Sequence, residues 1–351
     1  MRKADEKTNQ TNHGKRKMIT RTDVAKRAGV SVGTVSNVMN NKASVKPEYV
    51  KRVKKAIEDL NYIPDFTAKS LAKRKSNHIG VAVYEMTNPY HAEIIEGLEE
   101  YAAGKGYMVT TFLLDNKLNK KLDAICERRL DALVNFMTNA LPDSFINTLE
   151  SQKTVLVNFS KENSFIVVND YVKAMTNYMQ LLSSLGHKRV AYVSTVDKMR
   201  FEADSRGATF LAKRAEMGFS EDDSYIYCNY NYSLRSERIG YILADELIKT
   251  HPETTAVFAT NDLCAIGIMK RFAELGLRCP EDISVIGCDN ISIGEYFIPG
   301  LCTIGFDKKA YGRAIAKAII GRIDSGYQMP YRTLSFEAVS VLRDSVAKAR
   351  T

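Results

Sequence analysis

The chain has 351 residues, 45% of them hydrophobic, an ordinary composition for a globular protein and a length suited to two or three domains. No run approaches the roughly 18 apolar residues of a membrane span. The charged start "MRKADEKTNQTNHGKRKM" leads into no apolar stretch; a secretory signal is excluded, and a cytoplasmic protein without a membrane partner is expected. The formal charge of +9 is uneven: residues 1–78 hold 19 Lys and Arg against 7 Asp and Glu, the rest 31 against 34. A basic first fifth on a near-neutral body suggests a small polyanion-binding unit attached to a body with another job. The six scattered cysteines form no C-x-x-C pair and are expected reduced in the core.

Residues 1–17 show no periodic apolar face and are expected to be disordered. From Thr20 the pattern turns helical. Thr20 caps a first helix, with Asp23 as the acidic partner of a capping box. Gly29 suits the helix end, and Ser31 caps a second helix running to about Asn40. A third begins near Pro47, with Val50, Val53, Ile57 and Leu60 at helical spacing. The first domain is therefore 18–64, followed by a linker, 65–78, with a helical turn or two around Leu71. Beyond it, "HIGVAVYE" is a strand of the buried parallel type. The alternation continues: a helix from Tyr90 to Lys105, strand "YMVTTFLL", helix 117–129, then strands "DALVNF", "TVLVNF" and "SFIVV". Next come helix 171–185, strand "RVAYVS", helix 205–217, strand "YIYC", helix 233–250, strand "AVFAT", helix 262–275 and strand "ISVIGCD". Strand "LCTIGF", a helix from about Lys308 to Asp324 and "LSFEAVSVL" close the chain. So many strand–helix units exceed one modest sheet. Two doubly wound α/β subdomains with a cleft between them are expected.

Two short helices joined by a tight turn, braced by a third, make a helix-turn-helix. A helix lying in the major groove needs compact, hydrogen-bonding outward side chains. Val32, Gly33 and Asn37 are placed to face bases. Ser31, Thr34, Ser36 and Asn40 suit phosphates or caps, and Thr20 completes the DNA-facing set. An ordinary helical hairpin would also place Ser and Thr at helix starts; the local charge favours DNA.

"TDVAKRAGVSVGTVSNVMNN", "YVKRVKKAIEDLNYIPD" and "AKSLAKRKSNHIGV" resemble the head-piece of the lactose-repressor (LacI/GalR) family of bacterial transcription regulators. "TNPYHAEIIEGLEEYA", "LGHKRVAYVS", "SRGATFLAKRAEMG", "FATNDLCAIGIMKRFAELGLRCPEDISVIGCDN" and "PGLCTIGFDKKAYGRAIA" extend the resemblance over about residues 18–345. It implies a three-helix DNA-binding domain, a hinge, and a periplasmic-binding-protein-like core at 79–345. The first subdomain is expected at about 79–170 plus 305–326, the second at about 171–304 plus 327–345. It further implies a repressor that binds a pseudo-palindromic operator as a homodimer, controlled by a small molecule. Leu71 falls where the family places a hinge leucine that wedges into the minor groove. Lys69 stands where arginine is common, keeping the charge without the fork. Asn37 stands where the family often has arginine; asparagine pairs with adenine, arginine with guanine, so an altered half-site is expected. Lys46, before Pro47, stands where the family commonly has a Ser cap. The extension before Met18 is longer than usual.

By motif match, the effector candidates are Asn88, Tyr90, Asp170, Arg206, Asn261 and Asp289, at the carboxyl ends of strands as open α/β sheets favour. Tyr232, in the long stretch "YCNYNYSLRSERIGY", is added as an aromatic over the ligand, with Tyr230 an alternative. Carboxylates, amides, a guanidinium and tyrosine faces suit a sugar; a carboxylate or a nucleobase fits parts of the set. Inducer and co-repressor are equally compatible with it, and a phosphoprotein co-regulator stays open. No enzyme is expected: there is no G-x-G-x-x-G after a strand, no P-loop, no G-x-S-x-G and no H-E-x-x-H. The five histidines lack metal-ligand spacing, and no cofactor or metal is expected. A plain solute-binding protein would not need the basic first 78 residues. No C-terminal heptad tail follows "VLRDSVAKART", which favours a dimer over a tetramer.

Overall fold

The computed structural model describes residues 19–40, 42, 44–63, 75–114, 118–137, 141–159, 162–229, 231 and 234–350. The expected disordered start at 1–17, Lys69, Leu71, Tyr230 and Tyr232 lie outside the described residues. The chain divides into two compact units, residues 1–75 and 76–351.

The first unit holds α1 (Arg21–Ala28), α2 (Val32–Met39) and α3 (Pro47–Asp59). Asp23 Oδ2 accepts the Thr20 N–H at 2.8 Å, and Thr20 Oγ1 accepts the Asp23 N–H at 3.4 Å, closing the capping box. Gly29 ends α1 at φ 62°, where any side chain would also collide with Arg52; the Arg52 guanidinium donates to the Gly29 carbonyl at 3.0 Å. Ser31 Oγ accepts the Thr34 N–H at 3.1 Å and starts α2. Lys46 makes no side-chain cap, so α3 starts on Pro47 alone. Val24, Val35 and Val53 are fully buried with Ala25, Ala28, Val38, Ala56 and Tyr62. Each buried valine contributes about 1.5–3 kcal/mol, enough to order three short helices that would be marginal alone.

The second unit begins with Ser76 and Asn77, which Asp131 holds by accepting both N–H groups at 2.8 Å and the Ser76 hydroxyl at 3.0 Å. It then runs β1 (His78–Val83), α4 (Pro89–Gly104), β2 (Met108–Leu113), α5 (Leu118–Glu127), β3 (Ala132–Asn135), α6 (Asp143–Ser151), β4 (Val155–Val157) and β5 (Ser164–Asp170). Next come α7 (Val172–Ser184), β6 (Val190–Ser194), α8 (Lys198–Ala203), α9 (Ser205–Lys213), β7 (Ile226–Cys228), α10 (Ser236–Thr250), β8 (Ala256–Ala259), α11 (Asp262–Glu274) and β9 (Ser284–Ile286). The unit ends with β10 (Thr303–Gly305), α12 (Lys308–Asp324), β11 (Thr333–Glu337) and β12 (Val339–Val341). One parallel sheet has the order β11-β5-β4-β3-β1-β2, another β7-β6-β8-β9, and β10 pairs antiparallel with β12. The inner strands β1, β3 and β6 are buried almost throughout, as strands covered by helices on both faces must be.

The structure departs from the expectations in four places. Residues 327–345 do not all join the second subdomain: Thr333–Glu337 pairs parallel with β5, Leu334 opposite Val167, and completes the first sheet. The chain thus crosses between the lobes after β5, after β10 and again near Ala338. Helix α6 was not foreseen between β3 and β4, nor α8 before α9, and α9 stops at Lys213 rather than 217. Among the described residues no helix is long and apolar enough to cross a membrane.

Candidate DNA-reading helix and effector cleft

Helix α2 turns Val35 and Val38 inward. Gly33, Ser36, Asn37 and Asn40 recur at i, i+3, i+4 and i+7, one stripe on another face. Val32 is 43% exposed, and a Cβ on Gly33 would meet only Ser31 Oγ, at 3.6 Å. The Asn37 amide has no hydrogen-bond partner among the described residues. Other members of the set are already engaged: Ser31 and Thr34 hydroxyls meet at 2.9 Å, and Asn40 Nδ2 donates to the Ser36 carbonyl at 2.9 Å. Thr20 is tied to Asp23. α2 therefore presents one uncommitted amide between end residues whose side chains are already engaged. The surface pair Arg27–Asp59, at 2.8 Å, braces α1 on α3 and contributes at most about 1 kcal/mol.

In the core, Arg206 sits in the first turn of α9, its side chain only 16% exposed. Its Nε donates to Asp204 Oδ1 at 2.8 Å and its NH2 to Oδ2 at 2.7 Å. NH1 donates to the Thr260 carbonyl at 2.6 Å and approaches Cys288 Sγ at 3.7 Å. Burial works against the cation, but the Asp204 carboxylate holds Arg206 well above its ordinary range. Burial likewise opposes ionised Asp204, yet Arg206 keeps its carboxyl below the usual range. The guanidinium also lies over the Tyr171 ring, 5.0 Å from its centroid.

Strand β9 delivers Asp289 at φ 122°, followed by Asn290 at φ 50°. The loop is held from many sides. Lys308 Nζ donates to the carbonyls of Asp289, at 3.0 Å, and Asn290, and pairs with Glu93 Oε2 at 3.2 Å. Asp262, wholly buried, accepts the Ile291 N–H at 2.8 Å and the Thr303 hydroxyl. Arg343 donates to Asn290 Oδ1 at 2.8 Å. Unfavourable backbone so tightly determined marks a site where geometry matters. The Asp289 carboxylate accepts no hydrogen bond among the described residues. Burial pushes its carboxyl well above the usual range, Asp262 adds to this, and Arg206 and Lys308 oppose it.

Asn88 is buried and caps α4, accepting the Tyr90 N–H at 3.0 Å. The Tyr90 hydroxyl accepts from Asn169 at 3.3 Å; burial, then Tyr171, Tyr311 and Asp289, push it well above its ordinary range. Tyr90 and Tyr171 both lie 6.2 Å, ring to ring, from Phe306. Asn261 caps α11 through Cys264 N–H at 2.8 Å and reaches Ser236 at 3.2 Å. Its neighbours tie it in: Thr260 accepts Arg206, and Asp262 N–H donates to the Cys288 carbonyl beside Asp289. Asp170 has another task. It is exposed and accepts the Val172 N–H at 3.0 Å, capping α7 where the chain changes lobes. The tyrosine beside it, Tyr171, is the residue that meets Arg206. Sequence reasoning missed Tyr171, Asp204, Tyr84 and Lys308. Tyr84, on the loop after β1, is pushed up to about 12 by burial and then by Asp289 and Glu85. An acid two residues before Arg206 was the one visible signal for Asp204.

Residues 20–65 match the model for bacterial regulatory proteins of the lacI family, and residues 179–346 match the periplasmic binding protein-like domain. The chain is 31% identical over 315 residues to the HTH-type transcriptional repressor PurR of Vibrio atlanticus (strain LGP32), covering 87% of this chain and 92% of that one. PurR of Aliivibrio fischeri (strain MJ11) is also 31% identical, over 94% of this chain and 98% of its own. A LacI family regulator from Enterococcus faecium, solved with bound ribose, is 25% identical with a TM-score of 0.65, over 78% of this chain and all (100%) of that one. The lac repressor dimer bound to operator and the anti-inducer ONPF shares the fold, with a TM-score of 0.76 at 23% identity, over 94% of this chain and 100% of that one. With its helix-turn-helix unit, its two-sheet core and these relatives, the chain belongs to the lacI family of bacterial regulatory proteins, DNA-binding transcriptional repressors rather than enzymes.

Proposed function

We propose that this repressor controls carbohydrate-metabolism genes and that a sugar in the core cleft sets its operator affinity. The observation that carries the reading is Arg206 held near Asp289 and against Thr260, the residue before Asn261, with Tyr171 beneath it and Tyr90 close by. An unsatisfied carboxylate, an oriented guanidinium and ring faces are what vicinal hydroxyls and a pyranose or furanose face require. The ribose bound by the E. faecium relative supports the same class. The protein works in the cytoplasm as a homodimer on a pseudo-palindromic operator, the arrangement of the lac repressor dimer, and two-fold DNA suits a two-fold protein. Val32, Gly33 and Asn37 read bases. Thr20, Ser31, Thr34, Ser36 and Asn40 set the frame on phosphates. The hinge, 65–78, adds Leu71 and Lys69 at the minor groove. Asn88, Tyr90, Asp170, Arg206, Tyr232, Asn261 and Asp289 form the effector set, with Asp170 at its margin.

A thermal-shift screen of sugars and nucleosides on the full chain tests this reading, because a ligand that binds only the folded state raises the melting temperature. A sugar is expected to raise it, and Asp289→Asn to abolish the rise. A response to nucleosides alone would overturn the sugar assignment.

A further inference from the structure

We infer that the cleft selects an uncharged ligand and rejects the phosphorylated or carboxylated form of the same molecule. The inference rests on the reading of the cleft as the effector site and adds the charge of its occupant.

An arginine in a ligand cleft ordinarily invites an anion. Arg206 is not available in that way. Of the five N–H donors of a guanidinium, two go to Asp204, one to the Thr260 carbonyl and one towards Cys288, leaving a single N–H. Its charge is neutralised by a two-point contact with Asp204 at 2.7 and 2.8 Å. Three further cations have acidic partners: Arg200 of α8 stands 3.4 Å from Asp197. Lys308 is 4% exposed and faces two backbone carbonyls and Glu93. Arg235 stands 3.7 Å from Glu85 and 4.0 Å from Glu237. What remains uncommitted among the described residues is the Asp289 carboxyl group.

A phosphate brought to Arg206 would meet the Asp204 carboxylate at a guanidinium whose charge is already matched. A hydroxyl would meet one N–H to accept from and one carboxylate to donate to. Selectivity arises as much from the repulsive groups as from the attractive ones. Asp204 is therefore a specificity-determining residue: it holds the guanidinium in place and cancels its charge.

The test is calorimetric titration of the full-length protein with matched pairs: D-ribose and ribose 5-phosphate, D-glucose and glucose 6-phosphate, D-fructose and fructose 6-phosphate, adenosine and adenosine 5′-monophosphate. The expected result is binding of an uncharged member, with its phosphorylated partner weaker by at least about a hundredfold. Asp204→Asn frees the guanidinium and is expected to narrow that ratio by about tenfold or more; a purely structural role for Asp204 would leave the ratio unchanged. Asp204→Ser serves the same purpose where the Asn variant does not fold, and the wild-type ratio stands without either. A phosphorylated compound that binds as tightly as its partner, and is lost in Asp289→Asn, would overturn the inference while leaving the cleft reading intact. No binding by any member of any pair counts against the cleft reading itself, and the inference falls with it.

Discussion

Asn37 carries the one uncommitted polar side chain on the outer stripe of α2 that can address two base atoms at once. An amide matches adenine and a guanidinium guanine, at about 1–3 kcal/mol of discrimination per base. Asn37→Arg is expected to move one position of each half-site from adenine to guanine in a binding-site selection; an unchanged preference would show that Asn37 reads no base. His91 allows a second test at this scale. It is buried against Tyr84, Tyr90 and Phe136, its Nδ1 without a partner, and burial pushes it down to about 4. Unfolded, it titrates near 6.5. Between those values the unfolded chain binds the extra proton, so stability falls as pH drops from 6.5 towards 4, by about 2 kcal/mol at pH 5. His91→Phe, which keeps an aromatic ring in place, is expected to lose less melting temperature between pH 7 and pH 5 than the wild type. Equal losses would remove His91 as a cause. Arg206 and Asp289 were legible from short motifs. Tyr171 was not, because its role comes from where the start of α7 meets Arg206, and Asp204 left only its spacing as a signal.

Among the elements, α4 and α12 pack backbone to backbone. A Cβ on Gly97 would overlap the Lys309 backbone, and one on Gly312 the Ile94 carbonyl. Gly312→Ala is expected to destabilise the core by about 1–3 kcal/mol or more, seen as a lower denaturation midpoint; an unchanged midpoint would contradict this packing. The same helices hold the loop that carries Asp289, through Lys308 of α12 and Glu93 of α4, with Glu93 also accepting the Ser292 N–H at 3.4 Å. Lys308→Met should speed hydrogen exchange in residues 287–292 and leave α1–α3 untouched; unaltered protection of that loop would show that Lys308 does not position Asp289. Most helices and strands were visible as periodicity. The placement of β11 was not, since "TLSFE" has the same alternating pattern whichever lobe it joins, and only pairing with β5 decides. Helix α6 escaped because it is nine residues long and its cap, Pro142, makes no side-chain bond.

The whole molecule joins a basic head to a core whose lobes share three crossings. Its charge asymmetry already separated the two functions in the sequence. Coupling between them is a linkage: a ligand shifts operator affinity only by its differential affinity for the two states, and DNA must shift ligand affinity by the same factor. Coupling energies of this kind are about 1–3 kcal/mol, or roughly 5–150-fold. The direct measurement is operator affinity, on a site obtained by selection, with and without a saturating cleft ligand, in the wild type and in Asp289→Asn. A change of about fivefold or more in the wild type and none in the variant is the expected result. Operator affinity indifferent to a ligand shown to occupy the cleft would contradict the account.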